Sequence, residues 1–164
     1  MERKYRMYGL VPYNISPIQQ GIQYGHAVVE YGIQYSQEPA YHRWSRIDKT
    51  FIILNGGTTN TSGLTPGTLN QYAEMLKDVY GVPTAEFFEP DLGDQLTAVV
   101  FLVDDRIWDK DAYPDYKGAY VSTGWDSKPL ESDYAPWISQ FSEDREEAER
   151  VVALRSFLRN FKLA

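Results

Sequence analysis

Nine residues near the middle of the chain, Gln95 to Val103, read QLTAVVFLV. A run that is apolar at nearly every position cannot turn one face to water, so it predicts a strand covered on both sides and central in its sheet. No stretch of the sequence reaches the ~18 uninterrupted apolar residues of a membrane span. KTFIILNG, Lys49 to Gly56, predicts a second buried strand, stopped by Gly56-Gly57. Two weaker β-type runs flank these: YRMYGLVP from Tyr5 to Pro12, and TAEFFEP from Thr84 to Pro90.

Helical periodicity fills the gaps. NISP ends in Ser16 as a cap and Pro17 in a first turn, where its missing N–H costs nothing. Ile18, Ile22, Gly25, Val29 and Ile33 then recur at steps of four and three, which predicts a buried stripe. Tyr35 to Ile47 is polar and broken by Pro39, a loop or short irregular helix. A second helix starts at Thr65-Pro66, presents Leu69, Tyr72, Ala73, Leu76 and Val79 or Tyr80 to the core, and ends at Gly81. The order β-α-β-α-β-β predicts an α/β fold, a three-layer sandwich around a small mixed sheet. At 164 residues and 43% hydrophobic, the chain suits one domain with a substantial core.

Beyond Asp104 the character changes to an aromatic-rich extension, residues 105–164. Trp108, Tyr120, Trp125, Tyr134 and Trp137 are expected to pin it to a core spanning 4–104. It ends in a helix starting near Ser142. Glu143, Asp144, Glu146 and Glu147 lie at the positive end of that helix and Arg159 and Lys162 at the other, with Val151, Leu154, Phe157, Leu158 and Phe161 as its packing stripe.

The sequence holds no cysteine and only two histidines, His26 and His42, which excludes disulfides, thiolate nucleophiles and cysteine zinc sites. No cofactor or metal is expected. The amino terminus lacks the apolar core of a signal peptide, and a soluble, cytoplasmic protein is expected. Net charge is −7 and unevenly spread: six basic against four acidic side chains in residues 1–49, ten against nineteen thereafter. Such a balance makes DNA an unsuitable partner and confines any RNA contact to the amino-terminal part. It also simply keeps a protein soluble.

Two clusters carry chemistry. Gln19, Gln23, His26 and Glu30 fall at steps of four, three and four, so they line one helix edge. Two amides, an imidazole and a carboxylate could hold a water or polar ligand, with His26 as base and Glu30 to orient it. The same residues could also form a solvated edge, with His26 bonded to a backbone carbonyl. In EPDLGDQLT, Glu89, Asp91 and Asp94 crowd a turn between two strands. Paired carboxylates can bind a metal or share a proton, but the run lacks the spacing of a calcium loop, and such a pattern is far more often a plain acidic turn. The glycines and hydroxyls of NGGTTNTSG could meet an anion but precede no matched lysine.

In the order strand, SPIQQGIQYGHA, KTFIILNG, helix, EPDLGDQLTAVVFL, the chain resembles the type 2 peptidyl-tRNA hydrolases over about residues 4–104. The family's first helix has the form K-G-K-I-A-A-Q-x-x-H-A, which Gln23, His26 and Ala27 match. Its later D-A-G-R-T-Q loop is matched by Asp91, Gly93 and Gln95, with Thr97 similar to a threonine at the strand start. Large tailed bacteriophages encode chains of this sort, which would make this one a phage accessory protein. The resemblance implies a site around Gln19, Gln23, His26 and Asp91, with Asp94, Gln95 and Thr97 toward the substrate, for cleaving the ester between a peptide and tRNA. Two departures stand out. Gln19 occupies the position of the family's lysine, and Asp94 replaces its arginine. A neutral amide cannot supply a full charge to a developing oxyanion or a phosphate. The expected function is therefore a hydrolase-like protein with altered or lost esterase activity, binding a protein or tRNA-like ligand. An active hydrolase and an architectural subunit stand as alternatives, and a homodimer is an open arrangement.

Overall fold

The computed structural model describes residues 2–59 and 67–164. The predicted helix start at Thr65-Pro66 and residues 60–63 of the NGGTTNTSG loop lie outside the described residues. Two compact units emerge: one runs to Asp105 and takes in Arg159–Ala164, and the other is Arg106–Leu158. The fold is mixed α/β, with a four-stranded mixed sheet and six α-helices among the described residues.

In the first unit, β1 (Tyr5–Val11) leads to α1 (Pro17–Tyr35), α2 (Pro39–Arg43) and a π-helical turn (Trp44–Asp48). Then come β2 (Thr50–Asn55), α3 (Thr68–Asp78), β3 (Ala85–Glu89), a 3-10 turn (Pro90–Leu92) and β4 (Gln95–Asp104). The strands are ordered β2-β1-β4-β3, with β1 parallel to β2 and antiparallel to β4. Central β4 is the QLTAVVFLV run, and its residues Leu96 to Phe101 are all buried. No helix of the described residues is long and apolar enough to cross a membrane.

α1 covers the sheet face that carries Met7, Val11, Ala85, Ala98 and Val100. Ser16 caps it, its Oγ accepting from the Gln19 N–H at 3.3 Å. The stripe predicted to be buried is not. Ile18 is 74% exposed, Ile22 45%, Val29 62% and Ile33 70%. The helix is turned by about half a revolution, so that Gln23, Tyr24, Ala27 and Tyr31 face the sheet. Aromatic rings reach deeper than branched aliphatic chains, and their hydroxyls find partners: Tyr24 Oη donates to the Met7 carbonyl at 2.7 Å. Gly9 makes this possible, since a Cβ there would sit 2.4 Å from the Tyr24 ring. By contrast, a Cβ at Gly21 or Gly25 would meet nothing within 4 Å. Each of these helix-interior glycines costs about 0.5–1 kcal/mol relative to alanine, with no packing return inside the chain.

α3 contributes Leu69, Ala73 and Leu76 to the core, with Leu69 meeting Leu10 across Gly56. Residues 162–164 return to this unit. Leu163 bridges to Leu54, Asn55 N–H donates to the Lys162 carbonyl at 2.8 Å, and Ala164 N–H donates to Ile53 at 2.9 Å. The edge of β2 is thereby covered.

The short α4 (Asp105–Trp108) begins where the first unit ends. The second unit holds the hairpin β5 (Tyr120–Ser122) and β6 (Ser127–Pro129), then α5 (Glu131–Ile138) and α6 (Arg145–Leu158). Its core is Ile138, Phe141 and Ala148, with Tyr113, Tyr134, Trp137 and Val151 packed around them. Trp137 is anchored by its indole N–H on the Pro114 carbonyl at 2.8 Å, and Tyr116 meets Tyr120, Tyr134 and Trp137 edge-on. Trp125, expected among the pinning residues, is instead fully exposed beside the hairpin turn at Gly124, whose φ is +90°. Arg155, only 3% exposed, donates to Asp115 Oδ1 at 2.8 Å and to the Arg106 carbonyl at 3.1 Å, with its guanidinium over the Phe141 ring.

Candidate functional site

The predicted helix edge and the predicted acidic turn meet. Strand pairing brings this about through one surplus residue. Phe87 pairs with Ala98 and Phe88 with Leu96, which leaves Thr97 as an extra residue in β4, a β-bulge. Strict alternation would aim Thr97 with Val99 and Phe101, away from Ala98 and Val100. The bulge aims it at α1 instead, where its Oγ1 donates to Gln23 Oε1 at 2.7 Å, with the Phe87 carbonyl at 3.3 Å as a second acceptor.

Gln23 is the centre of the network. Its amide NH2 donates to Glu89 Oε2 at 2.8 Å and to Gln19 Oε1 at 3.2 Å. A carboxylate only accepts, so the NH2 must face Glu89 and the amide oxygen must face Thr97. Both amide hydrogens are therefore used, which is why a glutamine can be buried here without penalty. Glu89 also accepts from the Asp91 backbone N–H at 3.2 Å. The Gln23 amide, followed by the Asp91 N–H and the nearby His26, holds the Glu89 carboxyl below its ordinary range.

His26 does not bond to Glu30. Its ring lies flat on Phe87, with centroids 4.3 Å apart and planes 9° from parallel. The residue is exposed, one turn from Gln23. Asp91, expected among the reacting groups, supplies its backbone N–H to Glu89, and its own side chain is exposed on the 3-10 turn. Asp94 is exposed too, at a tight corner formed with Gly93: their φ angles are +59° and +70°, and Asp94 N–H donates to the Glu89 carbonyl at 2.9 Å. Gln95, paired with Glu89 across the two strands, closes the loop through its amide on the Leu92 carbonyl at 2.8 Å.

Thus Gln19, Gln23 and Thr97 come together, His26 stands at their rim, and Asp91, Asp94 and Gln95 belong to the loop beside them. Sequence reasoning named Glu89 only as one of three acids in the turn and gave the site role to Asp91, and it overlooked Phe87 as the platform under His26. A signal existed: Ala85, Phe87 and Glu89 alternate along β3, so all three share the face turned to α1.

No Lys or Arg among the described residues bonds to Gln19, Gln23, Glu89, Asp91, Asp94 or Thr97. No group of three or more His, Asp or Glu among the described residues is disposed to hold a metal ion. The groups left for a ligand are the Gln19 amide, the Glu89 carboxylate and the His26 imidazole, a set that accepts and donates hydrogen bonds but offers no fixed cation. No family model matches the chain, and no curated protein matches it.

Proposed function

We propose that this protein is built on the architecture of the type 2 peptidyl-tRNA hydrolases, an α/β/α sandwich, but has lost the esterase reaction and works by binding. The element order strand, helix, strand, helix, strand, strand supports the kinship, as does the meeting of Gln23 on the first helix with the loop before the last strand. The observation that carries the loss of activity is the state of Gln19 and Gln23. Gln19 stands where the resemblance calls for a lysine, and its amide oxygen is tied to Gln23 at 3.2 Å. Gln23 is itself held by Glu89 and Thr97.

Ester cleavage builds negative charge on the carbonyl oxygen, and a preorganised donor or cation must meet it. Replacing a charge-assisted contact by none forfeits about 1.5–3 kcal/mol, or roughly ten- to a hundredfold. Here the Glu89 carboxylate lies in the network and Asp91 and Asp94 add negative charge on the loop beside it, which also repels tRNA phosphates. A protein partner that presents hydrogen-bonding groups to Gln19, Glu89 and His26 suits the site better than a polyanion does.

Purified protein incubated with peptidyl-tRNA is expected to release no peptide above the buffer rate, and to retain no tRNA on a filter at low salt. Peptide release that disappears in Glu89→Gln or His26→Ala would overturn the reading and make the protein an enzyme.

A further inference from the structure

The outward side of α1 bears Ile18, Ile22, Val29 and Ile33 with Gly21 and Gly25 between them, all exposed. We propose that this face is the contact by which two copies of the chain dimerise, helix against helix and antiparallel about a two-fold axis at Gly25. The polar edge of α1 is a different side of the helix, so this inference stands or falls apart from the function proposed above.

Three observations select a second copy as the occupant. First, the stripe carries no charged side chain in a chain of net charge −7. Two acidic copies repel over most of their surface, and this is a face on which they can approach without opposing charges. Second, the area suffices. Four side chains exposed by 45% to 74% amount to on the order of 500 Å² per copy, so a pair buries roughly 1,000 Å², the level a specific interface must clear.

Third, the stripe is complementary to itself. In an antiparallel pair centred on Gly25, Gly25 meets Gly25 of the other copy and Val29 faces Gly21, these being the two glycines of α1 beside which the chain leaves open space. Val29 of each copy then falls opposite the Gly21 notch of the other, the reciprocal fit an isologous interface demands. Gly21 and Gly25, which fill no role within the chain, are explained as notches that let two helix axes come to the close end of the usual 8–10 Å.

Sedimentation velocity of the full chain from about 1 to about 200 µM is expected to show a concentration-dependent monomer–dimer equilibrium. Val29→Glu is expected to raise the dimer dissociation constant at least ~tenfold with an unchanged circular dichroism spectrum. Gly25→Ala separates this role from a folding role. Its methyl fits the monomer and favours the helix, so thermal stability at low concentration should rise while the dimer weakens by about tenfold. Orientation is read from single cysteines, which the chain otherwise lacks. Under mild oxidation, Gly25→Cys should cross-link between copies. Ile18→Cys should not, because its two copies would lie roughly 20 Å apart, beyond disulfide reach. A monomer at all concentrations, a dimer indifferent to Val29→Glu, or equal cross-linking at positions 18 and 25 would each overturn the proposal.

Discussion

Thr97 is aimed by a bulge and then made indispensable by burial. Its hydroxyl is the donor that satisfies Gln23 Oε1 inside the protein. Thr97→Val preserves shape and removes that donor, which strands a buried amide oxygen. The expected cost is about 1–3 kcal/mol in urea unfolding. Because the pair acts as a unit, adding Gln23→Leu should cost less than the sum of the two single changes. The chemical types at this site were readable from the sequence, since Gln19, Gln23, His26 and the acidic turn all announced themselves by spacing. Which carboxylate joined the amides was not. Glu89 and Asp91 are two residues apart, and only the short 3-10 turn decides that one points at α1 and the other at water.

The same division holds for elements. The strands and their succession along the chain could be read directly, but the place of β2 in the sheet could not. KTFIILNG, expected to be buried, forms this edge strand, where Phe51 is 57% exposed and only Leu54 is buried. Nor could the rotation of α1 about its own axis be read. The helix is apolar on two opposite sides, with Ile18, Ile22, Val29 and Ile33 on one and Tyr24, Ala27 and Tyr31 on the other. Periodicity identifies both stripes without ranking them. What ranks them is Gly9 on the neighbouring strand, a gap fitted to the Tyr24 ring. Gly9→Ala would thrust a methyl against ring carbons at 2.4 Å and Val100 Cγ1 at 3.0 Å, forcing Tyr24 off its bond to Met7. A loss of about 1–3 kcal/mol is expected, visible as a lower denaturation midpoint. The bulge at Thr97 was equally hidden, since register is a property of two strands and a sequence shows them one at a time.

At the scale of the molecule, the aromatic extension resolves into a unit with its own core, and a buried cation helps to hold it. Arg155 satisfies Asp115 and the Arg106 carbonyl while covering Phe141. Arg155→Ala removes all three contacts and leaves space beside the ring. It should cost the second unit about 3 kcal/mol, whereas Asp115→Ala, on the half-exposed partner, should cost less. Faster amide exchange in α6 with unchanged exchange in β4 is the expected readout.

Residues 162–164 bond along the outer edge of β2, yet they are made only after everything from Arg106 to Leu158. The first unit is thus interrupted by the second in the order of synthesis. On the ribosome β2 stays bare until residues 162–164 clear the exit tunnel, and an uncapped strand of that kind invites pairing with other nascent chains.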